Sequence, residues 1–182
     1  MPNRVPSSKL RRAARLLFYR GGGRPGVKGW VLARVVGAEF PRVVKALNSL
    51  IEPLGFQVVA VDNEGNRLSL DKEPRELRRA LFLVLMKGPV SVDEAKSSGW
   101  RIDDLAMLSA SLLYLLSRGG KANRNELFSV LKSKFPYPRL SYVFDRLIRL
   151  GYLKEEGDLI VIGWRSKVEI DLNKLLEMDG QA

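Results

Sequence analysis

Twice along this chain, a helix with apolar residues three and four apart runs into a glycine and then into a short strand-like segment. In the first instance Phe40, Val43, Val44, Leu47, Leu50, Ile51 and Leu54 keep helical spacing, Gly55 stops it, and the β-branched run Phe56 to Val61 follows. In the second, Leu140, Val143, Phe144, Leu147 and Ile148 line the inner face of Arg139 to Leu150, Gly151 ends the helix, and Tyr152 to Lys154 begins a strand. Each is followed by turn residues, Asp62 to Asn66 and Glu155 to Asp158, and by a return strand, Arg67 to Leu70 and Leu159 to Trp164. A chain that repeats this order is tightly constrained in what it can become.

Two further helices are predicted before each instance. Ser7 or Ser8 caps a helix carrying Leu10, Ala14, Leu17 and Phe18 on one face, and Val27 to Val36 forms a short second one before Gly37. Downstream, Ile102 to Arg118 is closed by Gly119-Gly120, and Asn123 caps a helix through Lys134 that Phe135-Pro136-Tyr137-Pro138 breaks. Three helices followed by a hairpin is the order of a winged helix-turn-helix. The expected fold class is therefore mainly α with small β-hairpins, an α+β chain of tandem winged helices: residues 1–72, a helical connector over 73–101, and residues 102–182. In the connector, Glu73-Pro74 opens a helix through Lys87, and Pro89 to Trp100 forms another; a second reading starts the second domain within Leu77 to Trp100. Asp171 caps a last helix, Leu172 to Met178.

Charge separates the two halves. Lys and Arg number 31 against 20 Asp and Glu, a net of +11. Residues 1–91 hold 17 of the basic and 7 of the acidic residues, so nearly all the excess lies there. Arg4, Lys9, Arg11, Arg12, Arg15, Arg20, Arg24, Lys28 and Arg34 all precede the first carboxylate, Glu39. Such a field concentrates polyanions. Arg11, Arg12 and Arg15 fall opposite the apolar face of the first helix, and Arg20-Gly21-Gly22-Gly23-Arg24 resembles Arg/Gly segments that bind RNA, or a flexible loop. On the helix ending at Gly55, Arg42, Lys45, Asn48 and Ser49 face outward; on that ending at Gly151, Arg139, Arg146 and Arg149 do. The candidate DNA contacts are thus Lys9, Arg11, Arg12, Arg15, Arg20, Arg24, Lys28, Arg42, Lys45, Arg139, Arg146 and Arg149.

The absence of Cys and His removes disulfides, thiolate and imidazole chemistry and most zinc sites, so no enzyme, metal or cofactor is expected. Paired acids such as Asp103-Asp104 sit where a helix begins and read as caps. The longest apolar run, Leu81 to Met86, is too short to span a bilayer, and the N-terminus lacks a signal-peptide core. These features predict a cytoplasmic protein, associated with the nucleoid or nucleus. Leu105 to Ser117 is apolar on nearly every side, so Leu108, Leu112, Leu115 and Leu116 are expected either between the two domains or against another chain. Trp30, Trp100 and Trp164 are expected as core anchors.

Leu112 to Gly120, the stretch Asn125-Glu126-Leu127-Phe128-Ser129-Val130-Leu131, the stretch Arg146 to Leu153, and Gly163-Trp164-Arg165 together resemble the second winged helix of the MAGE-homology domain. Leu50 to Gly65, with Leu54-Gly55-Phe56 and Val61-Asp62-Asn63-Glu64-Gly65, is similar to the end of that domain's first winged helix. The resemblance runs over about Ser8 to Met178. It implies a kleisin-interacting tandem winged-helix (KITE) subunit of an SMC chromosome-organising complex, with no chemistry of its own. Such subunits pair with a second copy or a sister subunit, bind a kleisin, and in some members bind double-stranded DNA. The rival expectations are a tandem winged-helix transcription regulator reading a specific operator, and a MAGE-like adaptor without DNA binding.

Overall fold

A computed structural model describes residues 5–19 and 25–179. The chain divides into two compact units, residues 1–89 and 90–182. It is an α+β structure, mainly helical, with one small antiparallel sheet in each unit.

The first unit is built from α1 (Ser7–Phe18), β1 (Val27–Lys28), α2 (Gly29–Val36), α3 (Phe40–Ile51), a 3-10 turn (Glu52–Leu54), β2 (Phe56–Val61), β3 (Arg67–Leu68), α4 (Pro74–Arg79) and β4 (Leu81–Met86). Its sheet has the order β1-β4-β2-β3. β4 pairs with β2 over all six residues, from Phe56 opposite Met86 to Val61 opposite Leu81, and with β1 through Val27 opposite Phe82. Phe40 and Phe82, both fully buried, meet edge to face at 5.8 Å and tie α3 to the sheet. Around them lie Ala13, Leu17, Leu32, Val36, Val43, Val44, Leu47 and Leu77.

The second unit contains α5 (Val92–Ser97), α6 (Ile102–Ser117), β5 (Lys121–Asn123), α7 (Arg124–Lys132), α8 (Tyr137–Leu150), β6 (Leu153–Glu156), β7 (Leu159–Ile162), α9 (Trp164–Glu169) and α10 (Leu172–Asp179). Its strands run β5-β7-β6, the same placement as β1-β4-β2: the strand made last lies between the two made earlier. In the first unit, β3 and α4 are inserted between the two long strands.

Several expectations change. Leu81–Met86 is a strand, because its apolar residues pair with Phe56–Val61, and α4 stops at Arg79 where Ala80 turns extended (φ −65°, ψ 154°). The stretch expected as a connector is divided: α4 and β4 are integral to the first unit, α5 to the second. The return strand expected over Arg67 to Leu70 is only Arg67–Leu68. α1 starts after Pro6 with no side-chain cap, whereas Asn123 does cap α7, its Oδ1 accepting the Asn125 amide at 2.9 Å. Asp103 and Asp104 lie in the first turn of α6, but no side chain caps that helix, and Asp104 is buried. Trp30 is about half exposed, under the Arg34 guanidinium at 5.2 Å, rather than a core anchor. Trp100 packs on the second core, and Trp164 lies on Gly151.

Candidate nucleic-acid interface

α1 turns Ala13 and Leu17 into the core and leaves Arg11, Arg12 and Arg15 exposed on its far side. No ion pair joins these three to a described residue. Lys9, on the flank, is paired with Glu39 and holds that carboxyl below its ordinary value through a hydrogen bond and its charge. Arg20 and Arg24 lie outside the described residues, as does the glycine run between them.

α3 presents little that is not already engaged. Lys45 pairs with Asp71, which arrives from the insertion between β2 and β4 and whose carboxyl is held below its ordinary value by that lysine. Asn48 Oδ1 accepts the Val58 amide at 2.6 Å, and the Ser49 hydroxyl donates to the Lys45 carbonyl at 3.2 Å. Arg42 is exposed.

The insertion adds cations that sequence reasoning missed. Arg75, Arg78 and Arg79 sit within one arc of α4, all exposed, and their guanidinium groups have no partner among the described residues. In the sequence they are hidden inside what reads as one long connector helix, α4 and β4 together. α4 is fixed to α2 by Leu77, which is fully buried, and by Gly29, whose amide donates to the Ala80 carbonyl at 2.9 Å. Between α4 and the β2–β3 turn lies a cleft of about 440 Å³ lined by Asp62, Asn63, Leu68, Arg75, Glu76, Arg79 and Ala80. Lys28 stands beside it, its Nζ donating to Asn63 Oδ1 at 3.1 Å and to the Arg79 carbonyl at 3.3 Å.

In the second unit two of the expected DNA contacts are turned inward. Asp104, 2 % exposed, accepts from Arg139 Nη2 at 2.5 Å and from Arg146 Nη1 at 2.7 Å. Arg146 also lies over the Trp100 ring at 5.2 Å. These guanidinia neutralise a buried carboxylate, which would otherwise be strongly destabilising. Arg149 alone of the three is exposed, in the last turn of α8. The charges of the hairpin beyond are engaged, Lys154 with Glu156 and Glu155 with Arg124 at the start of α7.

The leucines assigned to a partner surface are also mostly internal. Leu108, Leu112 and Leu115 belong to the core of their own unit, packed with Leu127, Leu140 and Phe144, and Leu116 is half-buried. The opposite side of α6 carries a second apolar stripe, Ile102, Ala106, Leu113 and Leu116, with Ile102 and Ala106 exposed. Among the described residues no group of three or more Asp and Glu side chains could hold a metal ion, and no helix is long and apolar enough to cross a membrane.

No family model matches the chain, and no curated protein does. Among solved structures it is similar in fold to a chain of an "Nse1-Nse3-Nse4 complex", with a TM-score of 0.64 over 96% of this chain and 88% of that one. Their sequences are 15% identical, so the likeness is one of fold.

Proposed function

We propose that both units are winged helices and that the chain is a non-enzymatic subunit of an SMC-type chromosome-organising complex. Its basic first unit binds double-stranded DNA, and its nearly neutral second unit docks a kleisin or a sister subunit. The single observation behind this reading is the set of exposed guanidinia on α1 and α4, without an ion-pair partner among the described residues, in the half of the chain that carries nearly all the excess charge. The fold likeness to a chain from an assembly of Nse1, Nse3 and Nse4, together with the MAGE-like residues of the second unit, supports the choice of complex.

The binding proposed is to the backbone rather than to bases. A reader of an operator needs several donors free on its third helix to reach base edges. Lys45, Asn48 and Ser49 are engaged within the protein, and on α8 so are Arg139 and Arg146. That counts against a transcription regulator, which would need discrimination of about 10³-fold or more over random DNA. An adaptor without DNA binding would show no duplex affinity at moderate salt.

Replacing Arg11, Arg12 and Arg15 by Glu tests the reading. Duplex affinity is expected to fall, and the slope of log affinity against log salt to shrink by roughly 0.9 for each phosphate no longer neutralised. An unchanged salt titration removes α1 from the interface. Recovery of an SMC or kleisin chain with the tagged protein, identified by mass spectrometry, decides the class of complex.

A further inference from the structure

The insertion between β2 and β4 holds a constellation that neither the charge count nor the fold likeness marks out. Arg75 and Arg79 are one helical turn apart, so their side chains rise side by side, roughly 5–6 Å between Cβ atoms, along one wall of the cleft. Neither carboxylate in the lining is paired with them, although Asp62, held ionised, keeps its negative charge at the cleft and Glu76 shares its own with Lys72. Asp62 accepts from the Asn66 side chain at 2.8 Å and from the Glu64 and Asn66 amides at 2.8 and 2.9 Å, and these bonds, the Asn66 side chain first, hold its carboxyl below the ordinary range. Glu76 is bonded by Lys72 at 2.8 Å. Asn63 gives its oxygen to Lys28, which leaves its amide N–H groups as donors at the cleft. Leu68 and Ala80 make up the remaining, apolar wall.

We propose that this cleft is a phosphate clamp for the nucleic-acid backbone. The Arg75 and Arg79 guanidinia grip a backbone phosphate, the Asn63 amide donates to it, and Lys28 adds a third positive charge nearby. Guanidinium forks suit phosphate oxygens, two donors to two acceptors, better than a point charge does. The helix that carries the clamp is held in place, because Leu77 is fully buried and the Gly29 amide is bonded to the Ala80 carbonyl, so that binding has the two exposed arginine side chains left to order. It rests on the proposal that the first unit binds DNA, and it moves the firmest contact from α1 and α3 to the insertion.

The test is a fluorescence anisotropy titration of the full chain with a labelled duplex across a salt series. Arg75→Glu with Arg79→Glu is expected to weaken binding at least about 10-fold at low salt and to lower the salt slope by about one to two units. The same change of charge made at Lys134 and Lys167, exposed cations of the second unit, is expected to do much less. Arg75→Lys with Arg79→Lys keeps the charge but not the forks, so affinity should fall several-fold while the slope is retained. All three variants alter exposed side chains, and an unchanged melting curve confirms the fold. A cleft variant no weaker than the Lys134 and Lys167 control overturns the clamp. If the α1 variant binds less tightly while the cleft variant matches wild type, DNA binding stands and the clamp alone fails. Wild-type protein that binds no duplex overturns both.

Discussion

At the scale of single residues, the decisive positions are those where one atom more or less changes what a neighbouring element can do. Gly29 is one: a Cβ there would lie 1.9 Å from the Leu77 carbonyl oxygen and 3.0 Å from the Arg78 Cα, backbone atoms that cannot swing aside. Gly29→Ala should force α2 and α4 apart, costing about 1–3 kcal/mol as overpacking does, and lowering the midpoint of denaturant unfolding. Because α4 carries Arg75 and Arg79, duplex affinity should fall with it although every cation is retained. Gly163 makes an equivalent approach in the second unit, where a Cβ would meet the Gly151 oxygen at 2.2 Å. That closeness gives Gly163-Trp164 a packing reason: Gly151 and Gly163 bring the chain ends of α8 and α9 together, and Trp164 covers the glycine. The charged residues were less transparent than the glycines. Arg139, Arg146 and Arg149 look alike in a helical projection, yet only the first two lie within reach of Asp104, which approaches from α6. A long-range ion pair leaves no mark in local spacing.

At the scale of elements, α1, α3, α7 and α8 were legible because amphipathic spacing, a helix-stopping glycine or a cap reported them directly. The apolar run Leu81–Met86 was not, since a short stretch that is apolar throughout has no period to distinguish a helix from a strand. Its state is decided by six partners some twenty-five residues earlier in the chain, in β2. That dependence makes β4 vulnerable. Leu83, 2 % exposed and opposite Val59, replaced by Asp would place an unpartnered carboxylate in the sheet. The first unit is expected to lose its cooperative melting transition, read by circular dichroism and by amide exchange in β2. Preserved exchange protection in β2 would mean that the strand pairing is not the source of the unit's stability.

For the whole molecule, each core is assembled from residues of its own unit, the first around Phe40 and Phe82 and the second around Leu112 and Phe144. Residues 1–89 and 90–182, produced separately, should therefore each melt cooperatively, and duplex affinity should travel with 1–89. Circular dichroism and the anisotropy titration together check both statements; a fragment that stays unfolded alone would show that the units depend on each other. The uneven charge of the two halves was readable from the sequence alone. Where the division falls was not, because an inserted helix and a distant strand made part of the first unit look like a bridge to the second.

The position of β4 between β1 and β2 also bears on how the protein comes into being. During synthesis the chain emerges from its N-terminus, at about 5–20 residues per second. α1, α2, α3 and β2 are all made before the strand that joins β1 to β2 exists. Until Met86 is out, β2 has its long edge open. A nascent chain at that stage exposes a sticky β edge and a dense positive charge in the same few seconds, near ribosomal RNA. Completion of one six-residue strand closes the edge and joins β1 to β2.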